Sequence, residues 1–131
     1  DLHLCDRRQR QMCIRDSIFA LERKLNCSRE LIYCTALLHD IGRAEQYTTG
    51  TPHDEAGVRI AETILSDLDF SSEEKESILS AIEEHRSSGK ETSILSQLIY
   101  EADKKSRNCF LCEAEPQCYW SPQKKNMTIQ Y

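Results

Sequence analysis

His39 and Asp40 stand side by side in the chain, His53 and His85 follow, and Asp103 closes a set that mixes imidazoles with carboxylates. Neutral imidazole and carboxylate together suit Fe, Mn, Co or Zn. His85 continues the helical line of Ile78 and Ile82, and Asp103 continues that of Leu95 and Ile99. Burying so many polar groups costs free energy unless they pair with one another or bind a metal. Residue by residue a bland reading stays open. A lone histidine on an apolar face is usually a satisfied core or surface group, and Asp103 has Lys104, Arg107 or a backbone group as alternative partners. The joint pattern favours metal, because every histidine after residue 3 lies on a helix face with apolar neighbours.

A second cluster is made of sulfur. Cys109, Cys112 and Cys118 place three thiols within ten residues. CxxC spacing lets two sulfurs reach one ion, and a third nearby makes a tetrahedral site lacking one ligand, so a structural zinc is the expectation. An iron–sulfur cluster normally wants four cysteines. A redox CxxC would sit in a βαβ pattern, which is missing here. The alternative is reduced or incidentally paired thiols in a tail packed down by Phe110, Tyr119 and Trp120. Cys27 and Cys34 read as small core hydrophobes.

The elements that must position these groups read as helices. Ile18, Leu21 and Leu25 mark one over 17–25. Ser28 caps the next, which carries Leu31, Cys34, Thr35 and Leu38 on one face, runs into His39-Asp40 and stops near Gly42. A polar loop is expected from Ala44 to Gly50. Thr51-Pro52 then starts a third helix, with threonine as cap, proline first and Asp54 and Glu55 in the opening turn. Its apolar face is Ala56, Ile60, Ile64 and Leu65. Ser71 and Glu74 have capping-box spacing and open a fourth helix with Ile78, Leu79 and Ile82, ending near 87–89. Thr92 caps a fifth with Leu95, Leu98, Ile99 and Ala102. After Arg107 the period fails, and the tail looks like a cross-linked loop. The expected fold is all-α.

The chain has 131 residues, 39% of them hydrophobic and 30% charged, which fits one domain with a single core. Its net charge of -5 speaks against general nucleic-acid or anionic-membrane binding. No apolar run approaches a membrane span. Without an export signal, seven cysteines read as thiols or metal ligands in a reducing cytoplasm rather than a disulfide framework.

The stretch ALLHDIGR at 36–43 resembles the signature of the HD-domain metal-dependent phosphohydrolases. The resemblance continues through PHDEAG at 52–57, AIEEHR at 81–86 and IYEADKKSR at 99–107. The sequence is similar to bacterial symmetrical diadenosine tetraphosphate hydrolases and to small clostridial HD proteins, whose ending the tail CFLCEAEPQCYWSPQKKN resembles. The resemblance implies a helical bundle of about five to six helices. Residues 17–107 would form this HD-type domain and 108–131 a Cys-containing extension. The resemblance also implies a ligand set for one or two divalent ions. His39 and Asp103 would hold one metal, His53 and His85 the other, and Asp40 would bridge them. Such a pair, roughly 3.5–4 Å apart, supplies an activated hydroxide for in-line attack at phosphorus, with His39 and Asp40 at the catalytic centre. Arg43 and Lys104 would hold substrate phosphate, or be ordinary solvated charges; Arg107 fits a structural pairing better. The implied activity is hydrolysis of a nucleotide or related small-molecule phosphate ester. The alternative is a non-catalytic nucleotide-binding HD module.

One departure lies upstream. The family pattern carries a further metal-ligating histidine on the preceding helix, whereas residues 6–10 read DRRQR, and the context of His3 does not match. QRQMCIRDS at 9–17 resembles translated sequencing-adapter read-through. The expectation is that residues 1–16 are non-native or disordered, that the site lacks one ligand, and that activity is reduced. An uninterrupted reading of DLHLCDRRQRQMCIRDS in independent genomic reads would overturn it.

Overall fold

A computed structural model describes residues 28–86 and 93–128. The expected helix over 17–25 and the 1–16 segment lie outside the described residues. Among the described residues the chain is all-α. It comprises α1 (Arg29–Leu38), α2 (Arg43–Thr49), α3 (His53–Ser66), α4 (Ser72–Glu84) and α5 (Ile94–Lys105). Three short 3-10 turns follow, at Cys109–Leu111, Glu115–Gln117 and Pro122–Lys124. No helix among the described residues is long and apolar enough to cross a membrane.

The helix starts follow local chemistry. Ser71 closes a full capping box, its Oγ accepting from Glu74 N at 3.2 Å while Glu74 Oε2 accepts from Ser71 N at 2.8 Å. Ser93, rather than Thr92, caps α5, accepting from Ser96 N at 3.1 Å. At α3 the cap position is Pro52, one residue later than expected. Thr51 Oγ1 is engaged instead with Thr49 Oγ1 at 2.9 Å. Each of these shifts is a single residue, the scale on which helix ends fray.

The core lies where α4 meets α1, α3 and α5. Ile32, Leu65, Ile78, Ile82 and Ile99 are its largest fully buried apolar side chains. Each contributes about 1.5–3 kcal/mol by leaving water. On α1 the buried line is Leu31, Ile32, Thr35, Ala36 and Leu38, so Cys34 is pushed to a half-buried flank. Thr35 satisfies its hydroxyl on Leu31 O at 2.8 Å. On α3 the face differs from the expected one. His53, Ala56, Gly57, Ala61 and Leu65 are buried, whereas Ile64 is exposed. Small residues there let α3 lie close to its neighbours, and that proximity rotates Ile64 out to solvent.

One expectation is corrected. The segment from Ala44 to Gly50 is not a loop but the helix α2, closed by Gly50 at φ 81. It has no buried residue of its own, so its apolar period was silent. It is held against α3 by polar contacts, including an ion pair between Arg59 and Glu45. In the tail, Cys109, Cys112 and Cys118 form no disulfide.

Gly42, in the turn between α1 and α2, permits the tightest approach among the described glycines. A Cβ there would stand 2.1 Å from His53 O and 2.5 Å from Gly57 N, both backbone atoms that cannot step aside. Gly42→Ala is therefore expected to destabilise the fold by roughly 1–3 kcal/mol or more, the scale of overpacking. Chemical denaturation checks it, and an unchanged midpoint would refute the close approach.

Candidate metal centre

Helix ends converge to build the site. His39 is the C-cap of α1 and Asp40 follows it in the turn. His53 opens α3, His85 is the C-cap of α4, and Asp103 lies in the last turn of α5. The three imidazoles are almost fully buried. The rings of His39 and His85 meet edge to face with centroids 5.4 Å apart, and those of His53 and His85 are 5.3 Å apart.

Each Nδ1 is fixed by an oxygen that can only accept. His39 Nδ1 donates to Ala36 O at 2.7 Å, His53 Nδ1 to Gln46 Oε1 at 2.6 Å, and His85 Nδ1 to Ile82 O. In neutral imidazole the proton then sits on Nδ1, and Nε2 presents a lone pair. Those lone pairs point inward. His53 Nε2 lies 3.3 Å from His85 Nε2, and the two lie 3.6 Å and 3.7 Å from Asp40 Oδ1. On the other side, His39 Nε2 lies 3.7 Å from Asp40 Oδ2 and 3.9 Å from Asp103 Oδ1. Asp40 thus turns one oxygen to each side. His39 Nε2 is buried with no hydrogen-bond partner, and Asp40 Oδ1 is ion-paired with Arg43 Nε at 2.9 Å. An unsatisfied buried acceptor is costly unless a cation meets it. Asp40, His53 and His85 together suit a metal ion, their ligand atoms all lying within 4.8 Å of one another.

The titration of these groups follows from their surroundings. Burial, then the nearby Arg43, pushes His53 down to about 4. Burial also lowers His85. Burial works against a charged His39, but Asp103 and Asp40 outweigh it and raise its pKa. Burial would raise Asp40, yet His39 and Arg43 bring it below its ordinary value. For Asp103 burial likewise opposes ionisation, and the neighbouring His39 and the Arg107 guanidinium hold it far below the usual carboxylate range.

The structure brings all five expected ligands into one neighbourhood. Arg43 sits 2.9 Å from Asp40 Oδ1, and Lys104 Nζ 3.9 Å from Asp103 Oδ2. Arg107 donates to Asp103 Oδ2 at 2.8 Å, the structural pairing expected of it. Cys109, Cys112 and Cys118 lie in the tail turns, half-buried and outside this group. Sequence reasoning missed Gln46, which orients His53 from the segment read as loop. It missed Arg86 too, whose charge acts on both His53 and Lys104. It also missed the tail's hold on α5. Trp120 stacks on the Arg107 guanidinium at 4.0 Å, and Asn126 Nδ2 donates to Lys104 O at 2.6 Å, satisfying a helix-end carbonyl. A tryptophan and an asparagine in an irregular tail carry no spacing signal for this.

The chain belongs to the HD domain family, which its residues 17–108 match. It is 42% identical over 111 residues to a Clostridium beijerinckii protein described as uncharacterized, spanning 85% of this chain and 69% of that protein. It also resembles the crystal structure of a predicted HD superfamily hydrolase from an uncultured Thermotogales bacterium. The TM-score is 0.69 at 23% identity, with 88% of this chain and 67% of that one covered. At that identity the likeness is one of fold.

The shifts give stability a definite pH dependence. With His53 at about 4 against 6.5 unfolded, the unfolded chain binds more protons between those values, so stability falls as pH drops through that window. His85 acts in the same sense. His39 opposes it, its raised pKa adding stability below 6.5 that is lost as pH rises through the folded value. The chelator-treated protein should melt at progressively lower temperature from about pH 6.5 to about pH 4, and His53→Gln should flatten the slope. A wild-type slope unchanged by the substitution would count against the assigned environment.

Proposed function

We propose that this chain is a metal-dependent phosphohydrolase acting on a nucleotide or related small-molecule phosphate ester. The observation that carries the reading is the convergence of His53 Nε2, His85 Nε2 and Asp40 Oδ1, whose ligand atoms lie within 4.8 Å of one another. The residues fit one or two divalent ions of the Fe, Mn, Co or Zn kind. His53, His85 and Asp40 Oδ1 would form one donor set; His39, Asp103 and Asp40 Oδ2 the other. Bound there, divalent ions supply Lewis acidity towards phosphoryl oxygen and make water nucleophilic near neutral pH.

The chain's own groups prepare that chemistry. Backbone carbonyls and Gln46 hold the imidazoles in the ligating tautomer. Arg107 holds Asp103 ionised and oriented. Arg43 and Lys104, both partly exposed beside the ligands, are placed to meet phosphate oxygens, the arginine by its planar fork and the lysine as a point charge. Arg86 adds positive potential at the same mouth, in a chain whose net charge is -5. Focused positive charge on an acidic protein suits a small anion better than a long polyanion.

Elemental analysis of the protein, with hydrolysis assays on generic phosphoesters, mononucleotides and dinucleoside polyphosphates, tests the reading. Asp40→Ala should lower metal content and cut turnover about a thousandfold, equivalent to about 4 kcal/mol of barrier. Stoichiometric metal with no turnover on any of these substrates would sink the enzyme reading. Nucleotide affinity that survives Asp40→Ala without turnover would identify the non-catalytic module instead.

A further inference from the structure

The tail raises a separate question of what orders it. None of its three 3-10 turns contains a buried residue, so the segment has no apolar core of its own. Segments too small for a core are usually held by disulfides or metals. Its three cysteines sit at the corners of the turns. Cys112 N donates to Cys109 O at 3.1 Å, Glu115 N to Cys112 O at 3.0 Å, and Cys118 N to Glu115 O at 3.1 Å. Cys109, Cys112, Glu115 and Cys118 therefore recur at three-residue steps, and the first two turns pack on each other.

From the end of the third turn Lys125 folds back onto this cluster. Its Nζ donates to Glu115 O at 3.0 Å and to Glu115 Oε1 at 2.6 Å. Its side chain is only 11% exposed. Glu115, and more weakly Cys118 and Cys109, favour its charged form. Three thiolates on a divalent ion leave one net negative charge and Glu115 adds a second, of which Lys125 offsets one.

We propose that Cys109, Cys112 and Cys118 bind a structural zinc ion through three thiolates, with a non-sulfur donor in the fourth position and the Lys125–Glu115 pair alongside. Soft thiolates select zinc over the hard cations, and three sulfurs fall short of the four that an iron–sulfur cluster normally takes. The sulfurs do not all lie within 4.8 Å of one another in the structure. Closure is asked of the side chains, by rotation about χ1 between staggered wells. The site is separate from the centre at His53, His85 and Asp40 and stands or falls independently of it.

The test uses the full chain purified under reducing conditions. A mercurial thiol reagent should release one equivalent of zinc, read by a colorimetric chelator. Cys109→Ser with Cys112→Ser should lose that equivalent, whereas Asp40→Ala should keep it. Cobalt titration of the unmodified chain provides a readout that needs no variant, with thiolate-to-cobalt charge-transfer absorption expected. Zinc content unchanged by the double substitution, absence of that absorption, or a disulfide among the three cysteines would each overturn the proposal. So would iron with acid-labile sulfide in the purified protein.

Discussion

His53 Nε2 and His85 Nε2 meet at 3.3 Å in a buried site, a contact that either a proton or a cation must bridge. That constraint organises the rest of the fold. The imidazoles are committed to it by their Nδ1 hydrogen bonds, which use oxygens that cannot donate in return. A shared proton is disfavoured because burial lowers the affinity of His53 and His85 for it. A divalent ion answers the same geometry at less cost, since it meets several acceptors at once.

Bringing these atoms together depends on helix ends rather than helix faces. Two ligands are C-caps, one opens a helix, and one follows a cap by a single residue. End groups are sensitive to small shifts in how helices meet. The absent side chain at Gly42 lets the first turn of α3 reach the His39–Asp40 turn, and His53 arrives with it. Gln46 on α2 then fixes the ring of His53. The short, coreless α2 is thus explained by what it orients.

A second line of support runs outward through charge. Asp103 is ionised against the pull of burial because His39 and Arg107 both act on it. Arg107 in turn is covered by Trp120, which Lys104 also approaches at 5.5 Å. Among the described residues the tail meets the candidate centre's surroundings through Lys104 and Arg107.

Much of the site was legible in the residues. Imidazoles and carboxylates at the ends of apolar lines, the capping box at Ser71 and Glu74, and the core positions of α5 follow from local periodicity and hydrogen-bonding chemistry, which a sequence carries directly. The family resemblance added the grouping of five ligands, and the structure places them in one neighbourhood. The helix at 43–49, the burial of Ala61 in place of Ile64, and the roles of Gln46 and Trp120 were not legible. Each depends on a neighbour distant in sequence: α3 against α2, α4 against α3, His53 for Gln46, Arg107 for Trp120. Periodicity names the face a helix must bury, but which atoms meet at the end of that face is decided only when separate helices pack.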